Sequence, residues 1–133
     1  MRVLFYVLLF QAAFLMAFPA SVQAQDPSGD INAAIRSGDA VKLADYFDSS
    51  LDLTLPDKDQ SLSKAHATQV IKKFFADYPP KSYTVNHSGS SREATKYSIG
   101  TYITGTKLFK TYVLLKKTGG EYRIVQLQFE ESR

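Results

Sequence analysis

A chain of 133 residues with no cysteine, no tryptophan and a formal net charge of +3 rules out several classes at once. It has no thiols for a disulfide framework or for thiol chemistry. Its small positive balance, with Lys72-Lys73 and Lys116-Lys117 standing apart, lacks the basic stripe of a nucleic-acid binder.

Arg2 precedes Val3 to Phe18, an apolar run broken only by Gln11, and Val22-Gln23-Ala24 closes the segment with small residues where a signal peptidase reads. Residues 1–24 therefore read as a secretory signal peptide, with Gln25 as the mature start. An uncleaved anchor is the other reading, but a run of about sixteen residues falls short of the roughly twenty a spanning helix needs. Without cysteine there is no site for lipid acylation either. The expectation is an exported protein, periplasmic or secreted, with no stable membrane insertion after cleavage.

The remaining chain is the length of one domain with one core. Residues 25–29 form a polar, flexible leader, and residues 30–131 the domain. Asp30 is placed to cap a first helix carrying Ile31, Ala34 and Ile35 at helical spacing. Ser37-Gly38-Asp39 breaks it, Gly38 suiting a left-handed cap and Asp39 the start of a second helix with Ala40, Leu43, Ala44 and Phe47 on its apolar stripe. Leu51, Leu53 and Leu55 alternate with polar residues as in a half-buried strand that Pro56-Asp57 ends, and a polar loop follows. Ser61 or Ser63 caps a longer helix with Ala67, Val70, Ile71, Phe74, Phe75 and Tyr78 on one face, which Pro79-Pro80 stops.

Beyond Ser82 the texture becomes β-branched and aromatic, giving strands over Ser82–Ser88, Thr95–Thr104, Lys107–Lys117 and Glu121–Glu130. The short links Thr104-Gly105-Thr106 and Thr118-Gly119-Gly120 make the last three an antiparallel meander. Simple alternation puts Arg123, Val125, Leu127 and Phe129 on one face of the last strand and Tyr122, Ile124, Gln126, Gln128 and Glu130 on a wetter one. The class is α+β, with helices packed on one face of a mainly antiparallel sheet.

Ile35-Arg-Ser-Gly-Asp39, Ser63-Lys-Ala65, Phe74-Phe75, Tyr97-Ser-Ile-Gly-Thr101 and Tyr112-Val-Leu-Leu-Lys-Lys117 resemble an uncharacterised secreted bacterial family, the domain of unknown function 4783 family, from about Asp30 to Glu131. The order of elements resembles the nuclear transport factor 2-like superfamily. That resemblance implies a cone in which helices close over a strongly curved sheet and often leave a pocket. It implies no activity, because the superfamily hosts enzymes, transport factors and scaffolds alike.

Strand parity groups His87 with Tyr83 and Val85, so His87 is expected to point inward as the one histidine placed for proton transfer. His66 belongs at the margin of the long helix. With Tyr97, Phe75 and Tyr46, His87 and Tyr83 make up the candidate pocket, its phenols supplying apolar area with a hydrogen-bonding tip. No catalytic constellation is identified. Two histidines without i, i+4 partners give no histidine-rich metal site, leaving only a mixed one with distant carboxylates, and no phosphate loop or nucleophile elbow calls for a cofactor. The function expected is a non-enzymatic module that binds a small ligand or a protein partner, with homodimerisation over the outer sheet face, where polar-aromatic residues such as Tyr102 and Thr104 are expected to suit the interface. One alternative is an isomerase or dehydratase type of enzyme using His87. The other is a structural envelope component, for which a cone filled by Phe74, Phe75, Tyr83 and Phe109 is the deciding observation.

Overall fold

The computed structural model describes residues 25–91 and 94–132; residues 1–24, expected to be a signal peptide, lie outside them. Helix α1, Ser28–Ser37, begins two residues before Asp30. The Asp26 carboxylate accepts from the Ser28 amide at 3.0 Å and the Ser28 hydroxyl at 2.6 Å, while Asp30 falls in the first turn. Gly38 ends α1 in the left-handed conformation, and Asp39 accepts from the Lys42 amide to cap helix α2, Ala40–Ala44.

Phe47 does not continue α2, as its spacing suggested, but opens strand β1, Phe47–Leu55. Sheet pairing captures the chain at that point: the Ile124 amide donates to the Tyr46 carbonyl at 2.6 Å, and Phe47 pairs with Ile124. The segment expected to be a polar loop is strand β2, Lys58–Ser63, hairpin partner of β1. Leu62 is its one buried residue. A short polar strand of this kind suits a sheet edge. Helix α3, Lys64–Asp77, starts where the Ser63 hydroxyl accepts from the His66 amide, and it buries Ala67, Ile71, Phe74 and Phe75.

Strands β3 (Ser82–Ser91), β4 (Thr95–Thr104), β5 (Lys107–Thr118) and β6 (Glu121–Glu131) complete a six-stranded sheet ordered β2-β1-β6-β5-β4-β3. All pairings are antiparallel except β1 with β6. The helices cover one face. Against them, Tyr102 on β4, Phe109 and Val113 on β5, Leu127 and Phe129 on β6, and Leu53 on β1 form the buried layer.

Two bulges change which side chains share that layer. In β6 the register steps from Leu114–Gln126 to Leu115–Ile124, so Val125 is an extra residue. The buried set is therefore Ile124, Leu127 and Phe129 rather than the unbroken 123-125-127-129 row. In β3 it steps from Val85–Gly100 to His87–Ile99, with Asn86 the extra residue, and every later side chain of β3 changes face.

Candidate functional site

The inner face is occupied by side chains. Phe74 is the hub of an aromatic cluster, its ring centroid 4.6 Å from Phe129, 5.2 Å from Tyr78, 5.3 Å from Phe109 and 5.9 Å from Tyr102. The Tyr102 hydroxyl donates to the Tyr78 carbonyl, and Phe75 stacks on Tyr102 at 6.2 Å. Phe74, Phe75, Tyr83 and Phe109 are all buried. This is the filled cone that distinguishes a structural interior from an open pocket.

Tyr83 is 3% exposed, and its ring lies across Gly100: a Cβ there would sit 2.8 Å from the ring and 2.8 Å from the Thr84 carbonyl oxygen. Its phenol oxygen has no hydrogen-bond partner among the described residues; Ser98 faces it outside hydrogen-bond geometry. Burial pushes the phenol up to about 12, partly offset by Ser98 and Arg36. Phe75 is a core residue. Tyr46 is half-buried at another end of the molecule, where its hydroxyl donates to Asp30 at 3.2 Å. Burial and the Asp30 carboxylate both raise its pKa.

His87 does not point into the cone. The bulge at Asn86 turns it to the outer face opposite Ile99, where it is exposed. There its Nε2 lies 3.0 Å from the Tyr97 hydroxyl, the donor being set by the imidazole tautomer. The structure therefore joins His87 to Tyr97 and separates both from Tyr83, Phe75 and Tyr46. Exposed His66 lines a groove of about 420 Å³ beside α3, floored by Leu55, Val70, Phe74 and Tyr78. No group of three or more potential metal ligands occurs among the described residues.

The strongest unexplained surface is the outer face of β4 and β5. Tyr97 pairs with Leu114, Ile99 with Tyr112, and Ile103 with Leu108, only the Thr101–Lys110 pair interrupting the stripe. Tyr97 and Tyr112 stack at 6.5 Å with 20° between their planes. The Tyr97 ring lies across Gly89 on the edge strand, as close as 2.7 Å to where a Cβ would be. This is aromatic cover for a strand glycine, and it holds the tyrosine hydroxyl at His87. Ile103 and Leu108 are 37% and 39% exposed. Tyr102 and Thr104, expected on this face, are buried on the inner one, because they share parity with Gly100 rather than with Tyr97 and Ile99; β5 is apolar on both faces through Tyr112-Val113-Leu114-Leu115.

Further across the same face the character becomes acidic. Asp52 on β1 accepts from Ser61 on β2, and Thr54 donates to Asp59 at 3.2 Å. Between the two zones a hollow of about 700 Å³ is lined by residues including Asp52, Leu114, Lys116 and Val125. An apolar stripe interrupted by one lysine, with carboxylates further across the same face, can make a protein contact.

The family described as Domain of unknown function (DUF4783) matches residues 28–130. A DUF4783 protein from Bacteroides uniformis superposes with TM-score 0.77 at 23% identity, covering 81% of this chain and 99% of that one. One from Bacteroides ovatus gives 0.74 at 25%, covering 78% and 94%. A protein from Shewanella baltica, named NTF2-like and of unknown function, gives 0.59 at 14%, covering 80% and 88%. No curated protein matches the chain. The fold is thus nuclear transport factor 2-like, a helical layer on a mainly antiparallel sheet.

Proposed function

The chain belongs to the DUF4783 family, and from that premise we propose that it is an exported, non-enzymatic interaction module that works through its outer sheet face and associates there with a second copy of itself. The observation that carries the reading is the three apolar cross-strand pairs on the outside of β4 and β5, set against an interior already filled with aromatic rings. Both faces of these strands are apolar, and the outer one has no cover among the described residues.

The occupant follows from the stripe itself, an apolar row that an equal row can cover. Lys110 interrupts the stripe and Lys116 ends it on β5, while Asp52 and Asp59 lie on the same face beyond β6. A two-fold axis through such a face lays the apolar stripe of one copy on that of the other, which makes the patch self-complementary. Stacked tyrosines at the centre supply the large, rigid contact area typical of interface anchors.

Sedimentation velocity of residues 25–133 over a rising concentration series tests this. Association is expected, and the double variant Ile99→Asp, Tyr112→Asp should abolish it while its circular dichroism stays that of the parent. A chain that remains monomeric at the highest concentration would refute the dimer.

A further inference from the structure

We infer that the mature chain begins with pyroglutamate, formed when Gln25, released by cleavage after Ala24, closes its side chain onto its own α-amino group. The inference rests on the export reading above.

The structure supports it by what is fixed and what is free. Asp26, the next residue, is tied down: its carboxylate accepts from the Ser28 amide, from the Ser28 hydroxyl and from Lys96 Nζ at 2.8 Å. Hydrogen bonds from Lys96 and Ser28 hold that carboxyl down to about 2, so the latch persists through the neutral range. Gln25 itself is exposed, and its side chain makes no hydrogen bond among the described residues. Rotation about its own bonds brings amine and amide together without disturbing the fold.

The step balances within the chain. The neutral α-amine nitrogen attacks the side-chain amide carbon, forming the C–N bond of a five-membered lactam. The C–NH2 bond breaks, and ammonia leaves carrying the amine's proton. No oxidant, reductant or cofactor is consumed.

Closure also changes local charge. Gln25 lies on the rim of a cleft of about 560 Å³ lined by Arg123 and the carboxylates of Asp26, Asp30, Asp45 and Glu121, of which Asp26 is paired with Lys96 and Glu121 with Arg123. A free terminal ammonium would be a cation beside them; the lactam is neutral and closes the chain end to aminopeptidases.

The test is intact-mass measurement and stepwise N-terminal sequencing of product recovered from the exported fraction of cells making residues 1–133. The expected product has the mass of residues 25–133 less one ammonia and is blocked to sequencing, whereas the Gln25→Ser variant keeps its full mass and sequences freely. A full-mass product with a free Gln25 amine overturns the modification and leaves export standing. A product that retains residues 1–24 overturns both. Ammonia loss that persists in Gln25→Ser assigns the loss to another amide and also overturns the inference.

Discussion

Two tyrosine–glycine contacts, one on each face of the sheet, show how this domain divides its labour. On the inner face Tyr83 lies across Gly100, sealed among core residues with its phenol unpaired among the described residues. On the outer face Tyr97 lies across Gly89, half-exposed, its hydroxyl at His87 and its ring stacked on Tyr112. The same packing device therefore fills the cone on one side and builds a presented surface on the other. The bulge at Asn86 puts Gly89 and His87 on the outer side, because it reverses the parity of β3 between the two contacts.

The largest effect should come from emptying the inner cluster. Phe74→Ala removes a ring touching Tyr78, Tyr102, Phe109 and Phe129, and its cost in urea unfolding should be about 3–5 kcal/mol. Tyr112→Ala on the outer face should cost about 1 kcal/mol and act mainly on association. Equal destabilisation by the two would erase the distinction between the faces.

The glycines sharpen the contrast. At Gly100 a methyl group meets the Thr84 backbone carbonyl, which cannot move cheaply, so Gly100→Ala should destabilise by about 1–3 kcal/mol. At Gly89 it meets only the half-exposed Tyr97 ring, which can swing away, so Gly89→Ala should stay within about 1 kcal/mol of the parent. The swing breaks the His87 contact and disturbs the stripe, so Gly89→Ala should lose association while keeping its fold.

The smallest effect is confined to alkaline pH. Tyr83 is raised from its ordinary 10.0 to about 12, and burial raises Tyr102 as well. A group whose pKa is raised by folding contributes stability that is intact below the unfolded pKa and lost as pH climbs through the folded one. Unfolding should therefore become easier from about pH 10 upward. Phenolate absorbance and circular dichroism followed together, with Tyr83→Phe as the control that shallows the decline, check this directly.

The helices were legible because their information is local. The stripe from Ala67 to Tyr78, the Pro79-Pro80 stop and the caps at Ser63 and Asp39 all depend on residues within a few positions. The strand boundaries from Thr95 onward were legible from hairpin chemistry. The bulges at Asn86 and Val125 were not, since an extra residue is defined by what the neighbouring strand pairs with. That single missing fact moved His87 from the cone to the surface and divided the candidate pocket. Strand β2 escaped notice because one buried leucine leaves no alternation to read. The outer stripe did leave a signal: Tyr112-Val113-Leu114-Leu115 is apolar without alternation, the mark of a strand with cover wanted on both sides.

The most direct test is a concentration series of amide and side-chain NMR spectra of residues 25–133. Association through the outer face predicts shifts that grow with concentration at Tyr97, Ile99, Tyr112 and Leu114, while Phe74, Tyr83 and Phe109 stay fixed. Shifts centred on α3, or spectra that do not change with concentration, would contradict it.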